Sequence, residues 1–212
     1  MTAEISLEST NGIRLEAEFD RANDPRAALV VCHAHPEMQG TMKSPLLLAI
    51  RDALVGQEWS VVRFNFRGVE GSEGEFGDGL EEVDDALAAI RFVRTEHPDA
   101  PIAVLGWSFG AAVAIRAAAR EPEVEACVAI APSVVPKPDI SHGLPAAREV
   151  GFEAPLLIVC GANDDVTPPE DARRWAAEAG AQYKEIPAAN HFFWAKYEPL
   201  ISTVTGFLDE AV

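Results

Sequence analysis

A serine, an aspartate and a histidine in this chain have the order and surroundings needed to activate a hydroxyl nucleophile. Ser108 stands at the centre of Gly106-Trp-Ser-Phe-Gly110, a Gly-x-Ser-x-Gly pattern. A serine hydroxyl is a weak nucleophile, so it needs a base to take its proton and an acid to orient that base. Asp164 and His191 follow downstream, in the order Ser, Asp, His. The sequence therefore predicts Ser108 as nucleophile, Asp164 as acid and His191 as base.

The segments around Ser108 support this prediction. The serine lies between an apolar run at residues 102–107 and a helical pattern at 109–120. A strand that leads directly into a helix forces a tight turn, and glycines beside the serine keep the inner face of that turn clear of side chains. The serine hydroxyl is then expected at the top of a sheet. The alternative is a turn whose serine only caps the helix.

The acid and the base each have an alternative. Asp164 follows a predicted strand, but it could instead cap the next helix, and Asp165 would then be the acid. His191 comes just after the last predicted strand, whereas His142, on a long loop, is the second candidate base. A lone histidine beside aromatic residues is often structural. Here it completes the order that the serine motif predicts.

The chain as a whole alternates strand and helix patterns. Strands are predicted at residues 5–9, 13–19, 28–32, 60–66, 102–107, 124–131, 155–160 and 183–186, and helices at 45–54, 82–95, 109–120, 169–179 and 200–211. The first two strands flank Asn11-Gly12, a hairpin signal, and the later ones are apolar throughout, as in strands buried on both faces. We therefore predict one α/β domain over residues 1–212, with a doubly wound, mostly parallel eight-stranded sheet flanked by helices. The connection at 132–153 is too short to form a lid domain.

Composition limits the partners that the protein could bind. The chain has 34 acidic and 17 basic residues, a net charge of −17, which argues against nucleic acid or an anionic membrane as a partner. It has no apolar run long enough to span a bilayer and no signal-peptide pattern at its start. The three cysteines lack paired spacing, so we expect three buried thiols and a reducing, cytoplasmic location.

Further segments extend the pattern around the serine motif. They are Gly-Ala-Asn-Asp-Asp-Val-Thr-Pro at 161–168, His-Ala-His-Pro at 33–36 and Arg-Gly-Val-Glu-Gly at 67–71. With them, the sequence resembles the α/β-hydrolase fold over nearly its whole length. Within that fold it is similar to the small, lidless bacterial serine hydrolases related to dienelactone hydrolases and acyl-peptidase-type enzymes. The residues that depart from the usual patterns of this subgroup are Ala34, Gln39 and Glu70.

The resemblance implies an oxyanion hole built from two backbone N–H groups. One is that of Phe109, immediately after the nucleophile. The other comes from the loop after the third strand, where His35 is preferred and Ala34 or Glu37 are alternatives, since Pro36 has no N–H. The side chains expected to line the substrate pocket are Met38, Trp107, Phe192, Phe193 and Trp194.

The activity that the resemblance implies is hydrolysis of small soluble carboxylic esters through an acyl-enzyme, with no cofactor and no metal. A thioesterase, a lactonase or an acyl-peptidase could use the same triad, and a non-catalytic binding protein could keep the same fold. His33 and His35 lack an obvious third metal ligand. The acidic run from Glu70 to Asp85 lacks the spacing of a calcium loop, so we expect a solvated loop there. Arg67 is expected to brace that loop, or alternatively to bind a substrate carboxylate.

Overall fold

An eight-stranded sheet forms the centre of the structure, a computed structural model that describes residues 2–136 and 142–212. The strands are β1 (Thr2–Glu8), β2 (Arg14–Asp20), β3 (Ala27–Cys32), β4 (Trp59–Phe64), β5 (Ile102–Trp107), β6 (Val124–Ile130), β7 (Leu156–Gly161) and β8 (Gln182–Ile186). The helices are α1 (Pro45–Val55), α2 (Glu82–Glu96), α3 (Phe109–Arg120), α4 (Pro169–Ala179) and α5 (Tyr197–Ala211).

The sheet has the strand order β1-β2-β4-β3-β5-β6-β7-β8. β2 pairs antiparallel with β1 and β4, and all the other neighbours are parallel. This confirms the predicted α/β architecture, including the early hairpin, which turns through Asn11 and Gly12 with positive φ angles of 59° and 74°. Strand β4 ends at Phe64, two residues earlier than predicted. Beyond it, the N–H of Asn65 still donates to Glu16 of β2, whereas that of Phe66 donates to the His33 ring.

Helices cover both faces of the sheet. Helices α2, α3 and α4 pack on one face, and α1 and α5 pack on the other. Strands β3, β4, β5 and β7 are buried along their whole length, which explains their uninterrupted apolar runs. Alanines make up much of α3, and their small side chains let it lie close against β5 and β6. The parallel strands thus bring the loops at their carboxyl ends to one edge.

The acidic run is only partly solvated, contrary to the sequence-based expectation. Asp85 is fully buried and pairs with the Arg67 guanidinium at 2.7 Å, while Glu81 reaches the same guanidinium at 2.6 Å. Glu82 is also buried and accepts hydrogen bonds from the N–H groups of Gly77 and Gly79 at 2.7 and 2.8 Å. Buried carboxylates need partners of this kind. Arg67 therefore braces this loop, as one of the two expectations had it.

The connection at 132–153 is irregular in its described parts, apart from a single 3-10 turn at Ala147–Glu149. Residues 137–141 of the expected loop lie outside the described residues. No helix in the rest of the chain is long and apolar enough to cross a membrane. Cys32, Cys127 and Cys160 are buried and unpaired, as predicted.

Candidate active site

Ser108 occupies a strained turn between β5 and α3. Its φ of 56° and ψ of −113° lie outside the regions that most residues adopt. A Cβ added to Gly106 would overlap the carbonyl oxygen of Gly110, and one added to Gly110 would overlap the carbonyl oxygen of His33. Both glycines are therefore required by backbone packing. The turn holds the half-buried Ser108 side chain at the carboxyl edge of the sheet.

The side chains of Ser108, His191 and Asp164 form a continuous hydrogen-bonded chain. Nε2 of His191 lies 3.1 Å from Oγ of Ser108, and Nδ1 of His191 lies 2.8 Å from Oδ2 of Asp164. The histidine and the aspartate are both buried. The structure thus brings together the three residues that the sequence motif singled out. His142, the second candidate base, is exposed.

Asp164 is fixed by its own turn rather than by α4. Its Oδ1 accepts the backbone N–H of Val166 at 2.9 Å and that of Thr167 at 2.8 Å. The residue before α4 is Pro168, which makes no side-chain cap, so Asp164 is not the helix cap. Asp165 is exposed. Burial acts to raise the pKa of Asp164, but the hydrogen bond and charge of His191, followed by the Thr167 donors, outweigh it and lower this pKa.

Thr167 is a member of this group that the sequence reasoning missed. Its hydroxyl donates to Oδ2 of Asp164 at 2.9 Å and lies 3.2 Å from Nδ1 of His191. The side chain is buried. A threonine three residues after the acid has no signal of its own in one sequence. Only the turn that returns it to the carboxylate reveals the contact.

The loop after β8 holds His191 in place from two sides. The backbone carbonyl of His191 accepts the indole N–H of Trp107 at 3.2 Å. The side-chain oxygen of Asn190 accepts the N–H of Phe192 at 3.1 Å. Phe193 is fully buried in the core beneath α5. The prediction that Phe193 lines the pocket is therefore wrong, because this ring anchors the loop from below.

The predicted oxyanion donors lie at the expected places in the fold. Phe109 begins α3, where N–H groups of the first turn lack a partner within the helix. His35 is buried, and its ring packs on Phe109 and Phe76 with centroid separations of 5.1 and 5.0 Å. The N–H of Glu37, one of the two alternative donors, donates to Nδ1 of His35 at 3.2 Å. The use of the His35 N–H stays a prediction.

The neighbouring His33 has a structural role. Its Nε2 accepts the N–H of Phe66 at 3.0 Å, and its Nδ1 donates to the carbonyl oxygen of Ala34 at 2.6 Å. Both ring nitrogens are therefore engaged within the protein. Residues 2–136 and 142–212 contain no group of three or more His, Cys, Asp or Glu residues that could hold a metal ion.

A cavity of about 370 Å³ opens beside Ser108. Four of the five side chains expected to line a pocket lie along it, namely Met38, Trp107, Phe192 and Trp194, and so does His35, one of the two predicted oxyanion residues. The further lining residues are Ala34, Gln39, Gly40, Ser44, Pro45, Leu46, Val166, His191 and Tyr197. This volume lies at the lower end of the range for small-molecule sites.

The chain is similar to several known proteins. A protein of Rickettsia prowazekii, described as uncharacterized, is 33% identical over 206 residues and is aligned over 84% of its length and 92% of this chain. A structure from Xanthomonas campestris, described as an α/β serine hydrolase without a lid, has a TM-score of 0.83 and 28% identity, covering 99% of this chain and 94% of its own. The monoglyceride lipase of Mus musculus is 30% identical over 141 residues, which are 64% of this chain and 45% of the lipase.

The sheet order, the serine turn and these similarities define the class as the lidless α/β serine hydrolases. A family model described as serine aminopeptidase, S33, matches residues 23–151, more than half of the chain, and the chain belongs to this family. The matched segment contains Ser108 and ends before Asp164 and His191. The assignment of acid and base therefore depends on the contacts described above.

The space around two glycines, one in the serine turn and one in α5, predicts that replacing them with alanine will have opposite effects on stability. Gly110→Ala should destabilise the protein by on the order of 3 kcal/mol, because the new Cβ would overlap backbone atoms of Cys32 and His33. Gly206→Ala is the matched control, since it lies inside α5 with open space around it. That change should stabilise the protein by up to about 1 kcal/mol. Urea unfolding followed by circular dichroism measures both, and equal effects would contradict the argument.

The burial of His33 predicts that the folded protein loses stability in acid. Burial lowers the pKa of His33 from its ordinary value of 6.5 to about 4, so the unfolded chain takes up this proton more readily than the folded one. The stabilisation is complete above pH 6.5 and is lost as the pH falls towards 4, by at most roughly 1.4 kcal/mol per pH unit. His33→Gln cannot titrate, so its free energy of unfolding should fall less steeply over this interval. Parallel curves for the two proteins in urea unfolding at pH 7.5 to 4.5 would exclude this linkage.

Proposed function

We propose that the protein hydrolyses small carboxylic esters through a covalent acyl-enzyme on Ser108. The observation that carries this proposal is the unbroken contact from Ser108 Oγ through His191 to Asp164, at an opening of the protein surface. A serine, a histidine and a buried carboxylate in this arrangement are the parts that acyl transfer to water requires.

In the first half of the reaction, Oγ of Ser108 attacks the ester carbonyl carbon while Nε2 of His191 accepts the hydroxyl proton. The negative charge that develops on the carbonyl oxygen is stabilised by the N–H of Phe109 and by the proposed N–H of His35. Asp164 holds the Nδ1 proton of His191 and stabilises the imidazolium. His191 then gives its proton to the leaving alkoxide, and the alcohol departs.

In the second half, water takes the place of the alcohol. His191 accepts a proton from the water molecule, which attacks the acyl-enzyme carbonyl. Collapse of the second tetrahedral intermediate releases the carboxylic acid and returns the proton to Ser108. Every proton in the cycle passes through Nε2 of His191, so the reaction needs no added cofactor.

The cavity favours an ester over a peptide, although the family model is described as an aminopeptidase. An aminopeptidase must bind the ammonium group of its substrate, and carboxylates are the usual partners of such a cation. In the part of the chain that the structure describes, none of the residues that line this cavity is aspartate or glutamate. The similarity to a monoglyceride lipase also supports an ester. Thioesters and lactones remain within the reach of the same chemistry.

We further propose that this activity belongs to one domain over residues 1–212 and takes place in the cytoplasm. The buried, unpaired thiols in β3, β6 and β7 support a reducing compartment. The high net negative charge argues against nucleic acid and anionic membranes as partners.

The triad is tested by substitution. Ser108→Ala and His191→Ala should each lower kcat by on the order of 10⁴, and Asp164→Asn by roughly 10³ to 10⁴, since members of a triad act as a unit. Asp165→Asn is the matched control and should retain activity, because its side chain is exposed. The assay is hydrolysis of p-nitrophenyl esters from acetate to decanoate, with leucine p-nitroanilide as the amide.

Two results would overturn these assignments. Near-wild-type activity of Ser108→Ala would exclude the mechanism, and a larger loss in Asp165→Asn than in Asp164→Asn would reassign the acid. Turnover of leucine p-nitroanilide above that of every ester would establish a peptidase instead. Labelling by a fluorophosphonate, which requires an activated serine, distinguishes a silent site from one of narrow specificity.

Thr167 is proposed as a positioning residue for the acid and the base. Thr167→Val removes the hydroxyl at nearly constant volume and should lower kcat by on the order of 10-fold, the effect of one hydrogen bond to a charged group. The loss of this donor also leaves Asp164 a stronger partner for the imidazolium. The acid limb of the pH profile of kcat/KM should therefore move to higher pH.

The Thr167→Ser variant is the control because it keeps the hydroxyl. It should restore both kcat and the position of the acid limb. If Val and Ser lower kcat equally and neither moves the pH profile, Thr167 has a packing role only.

A further inference from the structure

The exposed large apolar side chains are concentrated at the candidate site. Over residues 2–136 and 142–212 they are Met38, Val55, Leu80, Val135, Val166, Phe192 and Trp194. Four of these seven, Met38, Val166, Phe192 and Trp194, line the cavity beside Ser108. Apolar side chains grouped in this way mark a binding surface, whereas scattered ones need no explanation.

Phe192 and Trp194 form a stacked pair at this cavity. Their ring centroids are 5.0 Å apart and their planes differ by 16°. Trp194 is 65% exposed and Phe192 is 39% exposed, so the pair has an uncovered side. Stacking fixes two flat rings as one apolar surface, and a third ring can pack on it by the same interaction.

The side chains of Asn190 and Phe193 fix the backbone that carries this pair. Oδ1 of Asn190 accepts the N–H of Phe192 at 3.1 Å and that of Trp194 at 3.4 Å. Between them, the side chain of Phe193 is fully buried. The backbone beneath the aromatic surface is therefore ordered before a group binds, which lowers the conformational entropy lost on binding.

The pair lies next to the reacting atoms. The Phe192 ring is 5.4 Å from the His191 ring and 6.0 Å from the Trp107 ring. Both Phe192 and Trp194 share the cavity with Ser108. A group attached to the scissile carbonyl, or to the oxygen that His191 protonates, lies within reach of this surface.

The charge of the site limits the occupant. Among residues 2–136 and 142–212, those that line the cavity include no aspartate, glutamate, lysine or arginine, although 24% of the chain is charged. A charged group that entered would lose its hydration without gaining an ionic partner from these lining residues. The protein's net charge of −17 adds a long-range penalty for anions.

From these observations we propose that Phe192 and Trp194 form an aromatic subsite, which binds a planar apolar ring on one side of an uncharged ester. This proposal rests on the proposed esterase function and adds the class of substrate. Because stacking on the pair is an interaction with a flat ring, the subsite prefers an aromatic ring to a saturated ring of the same size.

The experiment uses two matched pairs of esters. Benzyl acetate against cyclohexylmethyl acetate tests a ring in the alcohol, and ethyl phenylacetate against ethyl cyclohexylacetate tests a ring in the acid. The wild-type protein should favour the aromatic member of one pair by about 3- to 10-fold in kcat/KM. Trp194→Leu should reduce that preference to near one. The pair that shows the effect assigns the subsite to the alcohol or to the acyl group.

Val55→Ala is the matched control, since Val55 is also exposed but lies at the end of α1, outside the cavity lining. It should keep the full aromatic preference. Circular dichroism of both variants checks that they fold. A wild-type ratio near one for both ester pairs, or an unchanged ratio in Trp194→Leu, would overturn the subsite.

Two other occupants are tested in parallel. If light scattering shows a wild-type dimer that Trp194→Leu converts to a monomer, the pair is an interface between copies. If the protein sediments with phosphatidylcholine vesicles and Trp194→Leu does not, the pair binds a lipid surface. Either result would overturn the subsite.

Fluorophosphonate labelling of Ser108 distinguishes failure of the aromatic subsite from failure of the proposed esterase function. Labelling together with hydrolysis, but without an aromatic preference, would overturn only the subsite. Absence of both labelling and hydrolysis would overturn the proposed function and the subsite together.

Discussion

The close approach of two backbones at the centre of the sheet is the constraint on which the site depends. Gly110, in the first turn of α3, lies against the carbonyl of His33 at the end of β3. This contact involves backbone atoms alone, and it brings the turn of Ser108 next to the loop that contains His35. The strain at Ser108, with its φ of 56°, is maintained by the neighbouring strands β3 and β6. Local strain persists where the surrounding structure determines it in this way.

Much of this arrangement could be predicted from the sequence, because it depends on the spacing of apolar residues and on the order of the catalytic candidates along the chain. The apolar runs and the glycines around Ser108 predict the sheet and its turn, and the order Ser, Asp, His predicts the two partners. The role of Thr167 could not be predicted, since it depends on a turn that folds back on Asp164. The burial of Phe193 beside an exposed Phe192 could not be predicted either. Adjacent aromatic residues in a loop show no hydrophobic periodicity that would tell which ring is buried.

Charge and polarity are distributed unevenly over the molecule. The excess of carboxylates is carried mainly by exposed side chains, while buried acids such as Asp85 have a cation or backbone donors as partners. As far as the structure describes it, the cavity beside Ser108 has a mostly apolar lining, and its ionisable side chains are His35, His191 and Tyr197. In such surroundings, the dipoles and hydrogen bonds aimed at the reacting carbonyl act with less screening than they would in water. An acidic protein can therefore maintain a site whose described lining residues offer no carboxylate to compete for the oxyanion donors.

The position of β8 at the edge of the sheet affects how heat inactivates the protein. In the part of the chain that the structure describes, β8 pairs with β7 alone, at the edge of the sheet. The segment after β8 supplies His191, whereas Ser108 follows β5 in the middle of the sheet. Edge elements open locally at a lower free energy than central ones. Heat should therefore separate the base from the nucleophile while the central strands stay paired, so that inactivation precedes global melting.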